Sequence, residues 1–161
     1  RLDADDPGRL RLGQTSQVEA GTGHGIGERP QVAGRLHRGE LEGRPIGAMQ
    51  IIDPHLEPTH YWEEIEPNLR ALDIWIGAPG DRGKGYGEAM MRLAFRLCFA
   101  DPQVKAIVID PLNTNTRAHA FYQRLGFVPT HRQVFVGTDD CLVHRLTREA
   151  WLQRFQQDAS D

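Results

Sequence analysis

The glycine-rich segment Arg82–Gly87 lies directly between a predicted strand and a predicted amphipathic helix, and it constrains the fold most. The strand, residues 71–77, is rich in branched and aromatic side chains, and residues 86–98 carry apolar side chains along one helical face. Three glycines at alternate positions let main-chain N–H groups converge, and the helix N-terminus adds its partial positive charge. Arg82 and Lys84 place full charges beside them. The segment therefore predicts a strand–turn–helix unit that binds an anion such as a pyrophosphate, or else a glycine turn without a ligand.

Several functional classes do not fit this sequence. The glycine spacing matches neither a P-loop nor the dinucleotide-binding fingerprint G-x-G-x-x-G. A net charge of −3 favours neither nucleic acid nor a membrane surface as a partner, and no apolar run approaches the roughly 18 residues of a membrane span. Two cysteines are too few for a disulfide framework, and the seven histidines show no metal-ligand spacing. We therefore expect a soluble, cytoplasmic domain without a metal ion.

The 161 residues fit one domain, but its first part is unusual. Residues 1–60 contain no aromatic side chain, eight of the 17 glycines lie among the first forty residues, and the apolar positions there follow no lasting periodicity. The G-x-G-x-G run at 21–27 has no strand before it and no helix after it, which disfavours phosphate binding. The sequence predicts a single domain, 1–161, with a core at 40–161. Residues 1–39 are expected to form a poorly specified N-terminal arm, as a linker, a truncated start or a mistranslated stretch.

The rest of the chain alternates between strand and helix signals. Strands are predicted where branched and aromatic residues cluster, and helices where apolar residues recur every three or four positions. The predicted strands are 45–52, 71–77, 104–109, 127–136 and 141–146, and the predicted helices are 84–100, 116–125 and 148–157. This order is typical of an α/β domain with one or two crossover connections.

Two motifs together resemble the GNAT superfamily of N-acetyltransferases. Arg82-x-x-Gly85-x-Gly87 is similar to the acyl-coenzyme-A loop of that family, Q/R-x-x-G-x-G/A. The segment Asn115–Phe127 resembles its N-x-x-A-x-x-F/Y-Y-x-x-x-G-F motif, and a predicted strand lies between the two. The first motif alone is weak evidence, whereas the pair in this order indicates the family.

Within the superfamily, the resemblance narrows to aminoglycoside 6′-N-acetyltransferases. The segments that resemble those enzymes are 72–77, 99–104, 109–111 with Asn115, and 139–141. The resemblance covers about residues 40–147. Residues 1–39 do not resemble the first strand and two helices of such enzymes, which form part of the acceptor cleft.

The resemblance implies the GNAT-like acyl-CoA N-acyltransferase fold, an α+β fold with a mixed, splayed sheet. Acetyl-CoA, the implied co-substrate, would lie in the gap where the strand of Asp73 parts from the strand of Val104. Its pyrophosphate would bind the N–H groups of residues 83–87, and main-chain N–H groups around 74–76 would bind the pantetheine arm and the thioester carbonyl. The implied coenzyme-binding residues are Ile74, Trp75, Ile76, Arg82, Gly83, Lys84, Gly85, Tyr86, Gly87 and Asn115.

The resemblance also implies direct transfer of the acetyl group to an amine, with Asp73, Asp110 and Tyr122 as catalytic residues. Tyr122 occupies the position of the family's tyrosine acid, which protonates the leaving thiolate; its alternative role is packing on the sheet. Asp73 and Asp110 match acidic positions of the aminoglycoside enzymes, where carboxylates attract a cationic amine and accept its proton. An unpaired carboxylate within a strand is costly, which favours a functional role for Asp73. Asp110 precedes a proline, and its alternative role is to shape that turn.

Three functions remain open from the sequence. The first is an aminoglycoside 6′-N-acetyltransferase, of the kind that confers antibiotic resistance. The second is an acetyltransferase of the same fold that acts on another amine, such as a siderophore precursor, a polyamine or a protein amine. The third is an inactive fragment that binds coenzyme A, which the unusual N-terminal part favours. The expected partner is a small cationic amine rather than nucleic acid or a membrane, and the protein is expected to be a monomer or a homodimer.

Overall fold

The computed structural model describes residues 10–18 and 34–155, which form a seven-stranded sheet with three α-helices. The strands are β1 (Leu10–Val18), β2 (Gly34–Leu41), β3 (Arg44–Ile52), β4 (Leu69–Ile76), β5 (Ala106–Ile109), β6 (Val128–Phe135) and β7 (Asp139–Thr147), and the helices are α1 (Tyr86–Phe99), α2 (Thr116–Arg124) and α3 (Arg148–Phe155). The strand order is β1-β2-β3-β4-β5-β7-β6, in which β4 and β5 are parallel and the other neighbours antiparallel. The predicted mixed α/β architecture is confirmed, and α1 forms the crossover between the parallel strands.

The N-terminal part differs from the prediction. Residues 10–18 and 34–41 form β1 and β2, which pair with each other and, through β2, with β3. The prediction of a poorly specified arm over residues 1–39 is therefore wrong for residues 10–18 and 34–39. Gly39 is one reason why the sequence does not predict β2. A Cβ there would lie 2.8 Å from the sulfur of Met90 on α1, so the position needs a glycine. A glycine at this position suggests a loop when the sequence is read alone. In the structure, its lack of a side chain lets α1 pack closely on the sheet.

Other parts of that predicted arm lie outside the described residues. These are residues 1–9 and 19–33, which include the glycine run at 21–27.

Different parts of the chain cover the two faces of the sheet. The larger cluster of buried apolar residues lies between the sheet and the helices and includes Met90 and Phe95. The smaller cluster lies on the opposite face, where the segment 53–68 packs, and includes Trp62. Side chains alternate between these faces along β4. Leu72, Ile74 and Ile76 contact the larger cluster, whereas Ala71, Asp73 and Trp75 share the opposite face.

Two kinds of feature are missing from the described part of the chain. None of its helices has the length and apolar character needed to cross a bilayer. Its His, Cys, Asp and Glu side chains form no group of three or more that could hold a metal ion.

Candidate functional site

The parallel strands β4 and β5 pair over a short stretch and then separate. Their pairing runs from Leu69 opposite Ala106 to Ala71 opposite Val108. Beyond this point β4 continues to Ile76, paired on its other side with β3, while β5 ends. The sheet is therefore open along the last part of β4, where the family resemblance implies a gap.

The register of β4 indicates which main-chain groups face this gap. Gly77 donates a 2.9 Å hydrogen bond to the carbonyl of Ile46, the β3 residue that the register places opposite it. Hydrogen-bonded pairs alternate along an antiparallel ladder, so the main-chain groups of Ile74 and Ile76 point away from β3 and into the gap. The main-chain groups of Trp75 face β3 instead, and its side chain is 50% exposed.

The glycine-rich segment connects β4 to α1 in the predicted place. Pro79–Asp81 forms one turn of 3-10 helix, the following residues are exposed, and α1 begins at Tyr86 with Gly85 as its N-cap. Gly83 and Gly85 have φ angles of 72° and 83°, and a Cβ at either position would meet open space. The first main-chain bond of α1 joins the N–H of Ala89 to the carbonyl of Gly85. The N–H groups before Ala89 are those that a helix N-terminus presents to an anion.

A buried carboxylate holds the start of this segment. Asp81 is 5% exposed and accepts two hydrogen bonds of 3.0 Å from the guanidinium of Arg44, at the start of β3. These bonds lower the pKa of Asp81, and the charge of Lys84 lowers it further. Because the pKa is lowered in the folded protein, the pair stabilises the fold fully above the ordinary aspartate pKa. This contribution is lost as the pH falls through the lowered value.

Asp73 and Asp110 occupy equivalent positions on the two sides of the gap. Each lies two residues beyond the last paired residue of its strand, Ala71 or Val108, on the face of the smaller cluster. Asp110 is 5% exposed and accepts a 2.6 Å hydrogen bond from the hydroxyl of Tyr61. The structure thus brings the two predicted carboxylates to one opening of the gap.

Tyr61 is a candidate site residue that the sequence analysis does not predict. Its ring stacks on Phe135 with centroids 4.8 Å apart, and Trp62 packs edge-on against the same ring at 5.1 Å. The carboxylate of Glu57, 3% exposed, accepts a 3.3 Å bond from the Tyr61 main chain and fixes its position. The sequence gives only a weak signal for this role, because Tyr61 and Trp62 lie in a polar, proline-rich segment. Its partner Asp110 lies 49 positions further along the chain, so no local pattern links the two residues.

Helix α2 lies on the helical face of the sheet and contacts the start of α1. Asn115 is its N-cap, and the side-chain oxygen accepts a 3.1 Å bond from the N–H of Ala118. Tyr122 is half-buried, with its ring 5.2 Å from that of Phe121. The Phe121 ring would lie 3.5 Å from a Cβ on Gly87, so α2 touches the first turn of α1. Helix α2, which carries Tyr122, therefore contacts the end of the glycine-rich segment at Gly87.

The two cysteines do not have the properties of a nucleophile. Cys98 and Cys141 are both buried, and burial raises the pKa of the Cys98 thiol to about 12. A thiol in that state is almost fully protonated at neutral pH and does not attack a thioester.

Comparison with known proteins indicates one family. Residues 35–136 match the model of the acetyltransferase (GNAT) domain. An aminoglycoside N(6′)-acetyltransferase type 1 of Klebsiella pneumoniae is 36% identical over 101 residues, which is 62% of this chain and 49% of that protein. A kanamycin resistance protein of Rhizobium radiobacter is 37% identical over 86 residues, which is 53% of this chain and 77% of that protein. The chain therefore spans about half the length of the first relative.

A solved structure has a similar fold. It is the aminoglycoside acetyltransferase AAC(6′)-Ib in complex with coenzyme A and kanamycin, with a TM-score of 0.69 and 28% sequence identity. The superposition covers 76% of this chain and 70% of that chain.

Proposed function

This chain belongs to the acetyltransferase (GNAT) domain family, and we propose that it transfers the acetyl group of acetyl-coenzyme A directly to the 6′ amine of an aminoglycoside. One observation carries the proposal. Asp73 and Asp110 border the gap on one face of the sheet, whereas α1 and α2 lie on the other face. A cationic amine and an acyl donor with a pyrophosphate would thus meet at the gap from opposite faces. The names of the matched relatives support the choice of aminoglycosides.

The glycine-rich segment fits the phosphates of the donor. When bound, acetyl-coenzyme A supplies the thioester that the amine attacks. The open space in front of Gly83 and Gly85 leaves room for phosphate oxygens close to the main chain. Arg82 and Lys84 are exposed beside it and add positive charge, while Tyr86 and Gly87 offer the N–H groups of the first helical turn.

Main-chain donors on β4 would hold the rest of the coenzyme. Ile74 and Ile76 turn their N–H groups into the gap, where they bond the pantetheine arm and the thioester carbonyl. Donors fixed in this way stabilise the negative charge that develops on the carbonyl oxygen. The main chain of Trp75 faces β3 and its exposed indole lies on the face of Asp73, so the donor side takes no contact from it. Asn115 contributes the amide of its side chain from the start of α2.

Arg44→Gln is expected to weaken coenzyme A binding by about three- to tenfold, because the glycine-rich segment loses the bidentate contact to Asp81. Isothermal titration calorimetry with coenzyme A measures this effect. Arg38→Gln is the matched control, since it removes an arginine from an exposed ion pair with Glu40 on β2. Equal affinities for the two variants would show that the Arg44 contact does not position the segment.

The carboxylates would hold and deprotonate the acceptor. The 6′ amine is a cation at neutral pH, so Asp73 and Asp110 attract it to the gap. Asp110, oriented by Tyr61, then accepts a proton from the amine, which frees the lone pair for attack. Because the amine attacks the thioester directly, no covalent intermediate with the protein is needed.

Tyr122 would supply the second proton transfer. Its hydroxyl gives a proton to the leaving sulfur, which makes the thiol a better leaving group than the thiolate. The contact of the neighbouring Phe121 with the first turn of α1 supports a role for Tyr122 on the donor side of the gap.

Tyr61→Phe is expected to raise KM for kanamycin by about tenfold, because Asp110 loses the hydrogen bond that orients its carboxylate. The phenylalanine ring preserves the stacking on Phe135, so the fold and the KM for acetyl-CoA should stay unchanged. Steady-state kinetics with each substrate varied in turn separates the two constants. An unchanged KM for kanamycin would remove Tyr61 from the acceptor site.

A panel of acceptors tests the substrate. The purified chain is incubated with acetyl-CoA and one of three amines: kanamycin, an aminoglycoside with a hydroxyl in place of the 6′ amine, or spermidine. Mass spectrometry then detects the acetylated product. We expect acetylated kanamycin and no product from the 6′-hydroxyl compound. Acetylation of spermidine alone would identify a polyamine enzyme, and acetylation of both aminoglycosides would contradict the 6′ assignment.

A further inference from the structure

Two large apolar side chains are exposed at the open part of the gap, and the proposed mechanism uses neither of them. Trp75 is 50% exposed and Leu112 is 39% exposed. Each follows one of the carboxylates by two positions, Trp75 after Asp73 and Leu112 after Asp110. The two sides of the opening therefore carry the same order of side chains, a carboxylate and then an apolar group. Ligand sites commonly combine apolar walls with a few placed charges in this way.

The pairing of the chain beyond β5 shows on which face Leu112 lies. Ile109 pairs with His144, and Leu112 pairs with Cys141, so the ladder with β7 keeps its register three residues further on. Opposite residues of a ladder share a face, and Cys141 belongs to the smaller cluster. The side chain of Leu112 is therefore on the same face of the sheet as Asp110.

Trp75 is presented from a rigid strand on the other side of the gap. Its partner on β3 is Ala48, whose methyl group covers little of the indole. A Cβ on Gly47 would collide with the carbonyl of Trp75, so β3 lies close to the Trp75 main chain and fixes it. Beyond Ala48, Arg38 of β2 forms an ion pair of 2.7 Å with Glu40, and this side of the site adds no net charge. The indole is thus available to a ligand at a low cost in conformational entropy.

The order of these side chains indicates the shape of the acceptor. Asp73 and Asp110 are nearer to the paired part of the strands, and along β4 the indole follows the carboxylate by about 6.6 Å. The fitting ligand has a cation at its tip and a flat apolar surface behind it. In an amino sugar, the 6′ ammonium projects from a rigid ring whose axial C–H groups form such a surface. A linear polyamine offers only a narrow flexible chain, which loses more conformational freedom when it is held.

We propose that Trp75 and Leu112 form an apolar clamp around the sugar ring that carries the 6′ amine, with the indole of Trp75 stacked on the C–H face of the ring. This inference rests on the proposed function, because it names what the acceptor side recognises besides charge. The carboxylates hold the amine, and the clamp selects a ring over other cations. Trp75 and Leu112 are therefore specificity-determining residues and take no part in proton transfer.

Trp75→Leu is expected to weaken kanamycin binding about tenfold, because the stacking surface is lost. Calorimetric titration of kanamycin into the protein saturated with coenzyme A measures this without any chemical step. Trp75→Phe keeps an aromatic ring and should cost about threefold or less. Coenzyme A affinity should stay within about twofold in both variants, since the indole lies on the face opposite α1 and α2. Equal losses for kanamycin and coenzyme A would assign Trp75 a structural role and overturn the clamp.

Leu112→Ser tests the other side of the clamp and should weaken kanamycin binding about three- to tenfold. Leu97→Ser is the matched control, since Leu97 is 48% exposed on α1 and far from the opening of the gap along the chain. It should leave the kanamycin affinity unchanged. For Trp75→Leu, the ratio of its Kd to that of wild type should be the same at low and high ionic strength, because contact with C–H groups is not screened by salt. A ratio that falls towards one at high salt would contradict stacking.

Fluorescence reports on the indole directly. Trp62 is 4% exposed and Trp151 is half-buried, so Trp75 is the most exposed of the three tryptophans. The difference in emission between wild type and Trp75→Phe is that of an indole in water, and kanamycin should shift it to shorter wavelength in the presence of coenzyme A. An unchanged difference spectrum at saturating kanamycin would overturn the clamp.

The calorimetric experiment separates failure of the clamp from failure of the proposed function. If wild type binds and acetylates kanamycin but Trp75→Leu and Leu112→Ser bind it with wild-type affinity, the clamp is wrong and the proposed function stands. If wild type does not bind kanamycin in the presence of coenzyme A, the proposed function is wrong, and the clamp for a sugar ring is wrong with it.

Discussion

Asp110→Asn is expected to lower kcat/KM for the aminoglycoside by about 10²- to 10⁴-fold, the usual contribution of a positioned general base. Asparagine keeps the shape of the side chain and still accepts the hydrogen bond from Tyr61, but it carries no charge and cannot take a proton from the amine. Coenzyme A affinity should change by less than about twofold, because the carboxylate lies on the face of the sheet opposite α1 and α2. Steady-state kinetics and calorimetry measure the two quantities.

The control for this experiment is Glu149→Gln, which removes an exposed carboxylate from α3. It should leave both the kinetics and the coenzyme affinity unchanged. If Asp110→Asn weakens coenzyme binding as much as acceptor use, the residue has a structural role, such as shaping the turn before Pro111.

Gly85→Val is expected to weaken coenzyme A binding by at least about 100-fold. Gly85 has a φ of 83°, a conformation that a β-branched residue adopts only with strain, and it is the N-cap from which α1 starts. A valine side chain would also fill the open space through which phosphate oxygens approach the main chain. Calorimetric titration with coenzyme A measures the loss.

Gly137→Val is the control, which distinguishes a specific loss of coenzyme binding in Gly85→Val from a general loss of stability. Gly137 has a φ of 73° and open space around it, so valine meets the same backbone strain in the turn between β6 and β7. This variant should lower Tm to a similar extent and still bind coenzyme A. Wild-type affinity in a folded Gly85→Val protein would remove the glycine-rich segment from the coenzyme site.

The sequence predicts β3 to β7 and the three helices because their signals are local. Apolar periodicity identifies α1, and Gly126, at a φ of 99°, follows α2 as the predicted stop. The glycine-rich segment is predicted for the same reason, since its chemistry lies in consecutive residues between one strand and one helix. The positions of Asp73 and Asp110 along the chain also follow from local signals, because Asp73 lies within a predicted strand and Asp110 comes directly after one.

The features that the sequence does not predict depend on contacts between distant residues. Strands β1 and β2 have weak patterns of their own, and they are fixed by pairing with β3 and by the close approach of α1 at Gly39. Tyr61 gains its importance from a bond to Asp110, which lies 49 positions further along the chain. No local pattern distinguishes Tyr61 from an ordinary loop tyrosine.

Release of free thiol from acetyl-CoA, with and without kanamycin, tests the central claim most directly. The assay follows the thiol with a reactive dye, and binding of coenzyme A is checked in parallel by thermal shift. We expect thiol release that depends on kanamycin and is proportional to enzyme concentration. Coenzyme binding without kanamycin-dependent release would contradict the claim that this chain acetylates aminoglycosides, and would leave a donor site that serves another amine or none.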